Sequence, residues 1–157
     1  EATGRPARCF HSGLSFEERQ TLLTQIRQAS PSDPQVIVAT SAFGMGIDLP
    51  SLQWAIVWQM PFSALDLAQR IGRVGRTDTS ARVHVFWDAD DTRWLDAFGE
   101  TSDAAARLRI KNLLEWLHSH DCRRKSFSRV LNSGRSAPTK AFCGRCDRCF
   151  SSVFKGA

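Results

Sequence analysis

V-I-V-A-T-S-A-F-G-M-G-I-D-L-P, residues 36–50, decides the fold. Val36 to Ala39 form a short apolar run rich in β-branched residues, the pattern of a parallel strand buried on both faces. The run stops at a polar, glycine-bearing loop that holds Thr40, Ser41, Gly44 and Gly46. Loops at the carboxyl ends of parallel strands are where α/β sheets bind ligands. Thr40 and Ser41 bring hydroxyls that can donate to phosphate oxygens, and Asp48 brings a carboxylate that can accept from a ribose hydroxyl.

The same grammar extends to both sides. Ala7 to Phe10 reads as a strand, and F-H-S-G-L, residues 10–14, follows it with backbone amides and His11 suited to a phosphate. Ser15-Phe16-Glu17-Glu18 has the form of a capping box. Leu22, Leu23 and Ile26 continue at helical spacing until the prolines of residues 30–34 break the helix. Trp54 to Trp58 reads as a strand, Ala64 to Ile71 as a helix, and Arg82 to Phe86 as a further buried strand. This alternation predicts an α/β layer with parallel strands. Past the capping cluster Asp88 to Asp91, helices are expected over Thr92 to Phe98 and Asp103 to His118, the second with the stripe Leu113, Leu114, Leu117. Asn132 to Lys140 reads as a loop. The expected division falls near residue 100, with an α/β unit over 1–100 and a helical metal-binding unit over 101–157.

Five cysteines stand at 9, 122, 143, 146 and 149. Cys122, Cys143, Cys146 and Cys149 offer four thiolates, and zinc takes four sulfurs in a tetrahedron. Gly144 suits the tight turn because it tolerates positive φ. The set leaves no coordination position open, so the expected role is structural; an iron–sulfur cluster is the other metal such spacing accommodates. Asp147 is expected as a turn residue, and the lone Cys9 as a buried structural cysteine.

Net charge is +5, distributed unevenly. Residues 1–120 hold 12 Lys/Arg and 14 Asp/Glu, whereas residues 121–157 hold 9 and 2. A basic segment pinned by a metal suggests a polyanion partner, with Arg123 and Arg124 among the expected phosphate contacts. No apolar run approaches the roughly 18 residues of a membrane span, so no membrane partner is expected and a cytosolic location is the default.

Q-R-I-G-R-V-G-R, residues 69–76, adds arginine to glycine. Arg73 and Arg76 stand three residues apart, so on a helical turn both would face one side. Two guanidinium groups there suit a triphosphate, one pairing with the γ-phosphate and the other holding charge in the transition state.

F-H-S-G-L, V-A-T-S-A-F-G-M-G-I-D and Q-R-I-G-R-V-G-R resemble, in order and spacing, motifs IV, V and VI of superfamily 2 helicases. The likeness is strongest to the RecQ family, whose series ends in C-R-R and then C-G-x-C-D-x-C, as Cys122-Arg123-Arg124 and Cys143 to Cys149 do. The resemblance implies a second RecA-like domain, incomplete at its N-terminus, followed by a helical zinc-binding subdomain. It implies that Thr40, Ser41 and the backbone from His11 to Gly13 grip DNA phosphates. It implies that Gly46 and Asp48 meet ATP, and that Gln69, Arg73 and Arg76 face the nucleotide with Arg76 as arginine finger. The four cysteines would hold structural zinc. Arg70, Val74 and Thr77 depart from the glutamate, alanine and aspartate usual in the family.

The sequence holds no G-x-x-x-x-G-K-[ST] and no D-E-x-H. The phosphate-cradling loop and the Mg²⁺-holding carboxylates are therefore expected from a first RecA-like domain, in the same polypeptide or another chain. The functional expectation is the C-terminal part of an ATP-dependent 3′–5′ DNA helicase of RecQ type. It would act on single-stranded and duplex DNA, in the bacterial cytosol or nucleoid or in a nucleus. By itself this chain is expected to be inactive. The other reading is a non-catalytic, zinc-stabilised module that binds nucleic acid or a partner.

Overall fold

The computed structural model describes residues 7–29, 36–40, 52–76, 80–131 and 142–153, with the backbone alone for 151–153. The elements in order are β1 (Ala7–Phe10), α1 (Phe16–Gln28), β2 (Val36–Ala39), β3 (Trp54–Trp58), α2 (Ala64–Ile71), β4 (Arg82–Phe86), α3 (Ala89–Thr101), α4 (Ala104–His118), α5 (Arg123–Leu131) and α6 (Asp147–Val153). They form two compact units, Glu1–Trp54 with Gly72–Arg82, and Ala55–Ile71 with Val83–Ala157.

In the first unit β1 and β2 pair in parallel, Ala7 opposite Val36 and Phe10 opposite Ala39. The pairing continues one residue further, because the Thr40 amide donates to the Phe10 carbonyl at 3.1 Å. Helix α1 begins as its sequence dictates. Ser15 Oγ accepts from the Glu18 amide, and Glu18 returns a carboxylate oxygen to the Ser15 amide. Phe10, Leu23 and Ile26 make the small core, with Leu22, Ile37 and Leu52 packed on it. The expected two-faced burial of β2 is not found: Val36 and Val38 are exposed among the described residues and Ile37 alone turns to the core. Cys9 is likewise exposed rather than buried, because the strand pleat sends its neighbour Phe10 inward.

The second unit holds the larger core. Ile110, Leu113, Leu114 and Leu117 recur on one face of α4 and meet Val57, Met60, Ala64, Leu67 and Leu95. Leu95 and Leu113 are fully enclosed, and each such side chain contributes about 1.5–3 kcal/mol. Asp88 caps α3 by accepting from the amides of Asp90 and Asp91, and Asp103 caps α4 through the Ala106 amide. Strands β3 and β4 pair with each other. β4 is not the buried strand its sequence suggests, since Val83, His84 and Phe86 are exposed. Trp58 and Phe86 meet on this open face at 5.9 Å between ring centroids. No helix among the described residues is long and apolar enough to cross a membrane.

Candidate functional site: a four-thiol centre and a parallel strand end

Cys122 immediately precedes α5, Cys143 and Cys146 flank the turn at Gly144, and Cys149 lies in the first part of α6. Gly144 has φ +68, the conformation expected of it. The four Sγ atoms lie within 4.8 Å of one another, and Cys143 Sγ stands 3.8 Å from Cys149 Sγ. Sulfurs bonded at ~2.3 Å around one tetrahedral ion are about 3.8 Å apart, so the donor set fits a single metal ion. The thiols differ in acidity. Burial pushes the Cys122 thiol up, but the amides of Lys125 and Cys143, together with neighbouring thiols, outweigh it and bring it down to about 6. Burial raises Cys149 to about 11, with the thiols of Cys146 and Cys122 adding to the rise. Four sulfurs this close cannot all be anionic without a cation among them.

The basic residues around this centre do not share one role. Arg123 was expected at a phosphate, but its guanidinium is committed within the protein. Nη1 donates to the carbonyls of Trp116 and Leu117 at 2.9 and 2.8 Å, and Nε lies 3.2 Å from both carboxylate oxygens of Asp147. It also lies over the Trp116 ring, 5.4 Å from its centroid. Arg123 thus closes the C-terminus of α4, where a cation is favourable, and joins α5 to α6. Asp147 is the other half of that tie and the first residue of α6. Arg124 is exposed. Lys125, Arg129, Arg148, His120 and Phe142 line a cleft beside Cys122 and Cys149. The α5 helix and the Arg123 role were missed in sequence; a cation directly after a metal ligand and seven residues beyond a tryptophan was the only available sign.

In the first unit the carboxyl end of the β1–β2 pair gathers Thr40 and the loop from His11 to Leu14. Thr40 is exposed and hydrogen-bonded to Phe10, the residue that leads into that loop. Within the loop the Gly13 amide donates to His11 Nδ1 at 3.2 Å, and the Leu14 amide to the His11 carbonyl at 3.3 Å. Both amides are thus engaged within the loop itself. With Nδ1 accepting, the neutral imidazole carries its proton on Nε2, and His11, exposed, presents a side-chain donor. Arg19, not singled out in sequence, donates from α1 to the Leu14 carbonyl through Nε at 2.9 Å and to the Ser12 carbonyl through Nη2 at 3.2 Å. Glu18 stands beside the same loop. Hydrogen bonds from the Ser15 amide and hydroxyl hold its carboxyl below the usual range, against burial.

The arginine–glycine stretch departs from its expected geometry. Helix α2 ends at Ile71, so Arg73 and Arg76 do not share a helical face. Gly75 takes φ +69, and its amide donates to the Leu52 carbonyl at 3.1 Å. Arg73 is half-buried, with Nε enclosed and without a hydrogen-bond partner among the described residues. Arg76 is exposed, its Nε 3.4 Å from the Gly72 carbonyl. Gln69 is exposed on α2. Arg70, the departure from the family pattern, forms a two-bond pair with Asp66 one turn earlier, at 3.0 and 2.9 Å. Ser41, Gly46 and Asp48 lie outside the described residues, as do Thr77 and the loop from Asn132 to Lys140.

Residues 1–78 match the helicase conserved C-terminal domain. The ATP-dependent DNA helicase RecQ of Pasteurella multocida is 30% identical over 152 residues, covering 93% of this chain and 23% of its own length. An alignment of that extent spans residues on both sides of Cys122. The DEAD-box ATP-dependent RNA helicase 15 of Arabidopsis thaliana is 37% identical, over 52% of this chain and 18% of its own length. Among solved structures, the C-terminal domain of the DEAD-box protein Dbp5 is similar with a TM-score of 0.43 and 18% identity, over 64% of this chain and 59% of that one. The chain spans about a quarter of the length of the RecQ proteins it matches.

Proposed function

We propose that this chain, whose residues 1–78 match the helicase conserved C-terminal domain, is the C-terminal part of the core of an ATP-dependent 3′–5′ DNA helicase of RecQ type. The observation that carries the reading is the joint occurrence of helicase motifs and the four-thiol centre in one RecQ-like chain, with the four sulfurs within 4.8 Å of one another. The proposed division runs near residue 100, a partial second RecA-like domain before it and a helical metal-binding subdomain after it.

In this reading ATP and Mg²⁺ bind between two RecA-like domains, the first of them supplied in the same polypeptide or by another chain. Arg76 reaches the γ-phosphate and balances the charge that builds up on it as the bond to the leaving phosphate breaks. Arg73 and Gln69 sit on the same nucleotide, and Gly46 and Asp48 at its ribose side. His11 donates from Nε2 to a DNA phosphate, Thr40 and Ser41 from their hydroxyls. Gly13 serves by fixing His11 through its amide. Closure of the domains then moves the held strand. Cys122, Cys143, Cys146 and Cys149 would hold zinc, which would supply a cross-link between α5 and α6. Arg124 adds a phosphate contact while Arg123 keeps the subdomain in shape. Work on DNA places the protein in a cytosol or nucleoid, or in a nucleus.

The test is ATP turnover by the complete protein with and without single-stranded DNA, together with metal analysis. DNA-stimulated hydrolysis and one zinc per chain are expected. The other reading, a non-catalytic zinc-stabilised binding module, requires instead that DNA binds without any turnover and that no G-K-[ST] loop occurs elsewhere in the polypeptide.

A further inference from the structure

We infer that Arg19 is a positioning residue for strand binding: it shapes the His11 loop so that the imidazole Nε2–H, rather than the loop backbone, meets the nucleic-acid phosphate. The inference rests on the strand-grip reading above and deepens it.

Three observations converge on Arg19. Its guanidinium bridges two carbonyls of one short loop, Ser12 and Leu14, from a single helical position. A planar fork with fixed donor directions can hold two acceptors in one geometry, which a lysine ammonium on a flexible stem cannot. The bridged carbonyls are drawn toward α1, and the loop closes as a turn in which the Leu14 amide reaches the His11 carbonyl and the Gly13 amide reaches His11 Nδ1. His11 is thereby held in one tautomer by the turn that Arg19 braces. The space inside the turn is tight. A Cβ on Gly13 would lie 3.1 Å from His11 Nδ1, so the imidazole sits directly against the glycine.

The charge balance points the same way. The capping box fixes the Glu18 carboxylate at the Ser15 amide, next to the loop. An anion there opposes a phosphate, and Arg19 places a cation on the same loop. Arg19 therefore has two separable effects: it cancels the Glu18 charge and it sets the loop geometry. Lysine at position 19 would keep the first and lose the second.

The test uses the complete protein and a labelled oligo-dT strand, comparing wild type with Arg19→Lys, Arg19→Ala, His11→Ala, Thr40→Ala and the Arg19→Lys/His11→Ala pair. Loss of a fork to charged or carbonyl partners is worth on the order of tenfold in affinity. Arg19→Lys is expected to raise the DNA concentration for half-maximal ATP turnover about tenfold and Arg19→Ala to raise it further, with maximal turnover retained. The double variant should bind no more weakly than His11→Ala alone. Wild-type DNA affinity in Arg19→Lys overturns the inference by leaving charge as the whole effect. Equal loss of maximal turnover and thermal stability overturns it by making Arg19 a general structural residue. If His11→Ala and Thr40→Ala both leave DNA affinity intact, the strand-grip reading itself fails, and this inference with it. If those two lose affinity while the Arg19 variants do not, this inference alone is lost.

Discussion

Arg123 Nε lies 3.2 Å from each carboxylate oxygen of Asp147, so the helix that follows the first cysteine of the four-thiol centre is bound to the helix that carries the last. The two residues are separated by 24 positions in sequence, and each directly follows a cysteine of the centre, Cys122 and Cys146. Groups of this kind, one step out from metal ligands, orient the ligands and are worth about 10–100-fold in metal affinity. Arg123→Ala and Asp147→Ala are each expected to weaken zinc retention in that range, measured by competition with a chromophoric chelator. Arg124→Ala, one residue away and exposed, should retain zinc like the wild type.

Removal of the metal should be felt as loss of structure in the C-terminal part. An ion held by all four sulfurs would tie the start of α5 to Cys143 and α6, so its removal releases that tie. Serine at any of Cys122, Cys143, Cys146 or Cys149 should lower bound zinc to well below one per chain and reduce helix content. Metal analysis and circular dichroism before and after chelation measure both. Unchanged helicity after complete metal removal would count against the assignment.

Two glycines share a left-handed backbone but not a neighbourhood. At Gly144, φ +68, an added Cβ would meet nothing within 4 Å. At Gly75, φ +69, it would come to 2.9 Å from Ala81 Cβ. Gly144→Ala should therefore cost only the backbone term, roughly 1–2 kcal/mol. Gly75→Ala should carry an added overlap of about 1–3 kcal/mol and shift the arginine segment that follows. Urea unfolding of the two variants compares them directly.

Arg76 is exposed, and the proposed function makes it the arginine finger. In the complete protein Arg76→Ala is expected to lower ATP turnover by about 10³-fold or more and to leave single-stranded DNA binding intact. Turnover retained at wild-type level would remove Arg76 from its finger role.

What the sequence disclosed follows from how local each signal is. The capping box at Ser15 and Glu18 is a four-residue device, and its bonds form as its spacing requires. The spacing of Cys143, Cys146 and Cys149 around Gly144 also acts within a few residues, and Cys122 joins them from earlier in the chain. Burial was less legible. Val36, Val38 and Phe86 are apolar in sequence yet exposed in the structure, because a strand run specifies a pleated surface without specifying what covers it. Arg73 and Arg76 have helical spacing, but α2 stops at Ile71 before reaching them, and only the chain's path through Gly72 and Gly75 decides this. Arg123 was hardest to read. A basic residue in a basic tail looks like a phosphate contact until the carbonyls of Trp116 and Leu117 and the carboxylate of Asp147 are seen around it.

Trp116 gives that last arrangement a practical consequence. Its indole N–H donates to the Arg123 carbonyl at 3.1 Å, and its ring lies beneath the Arg123 guanidinium. Any loosening of the thiol centre must alter the polarity and ionic surroundings of this indole. The protein therefore carries its own fluorescent gauge of metal occupancy, one that a Trp116→Phe difference spectrum would isolate from the four remaining tryptophans.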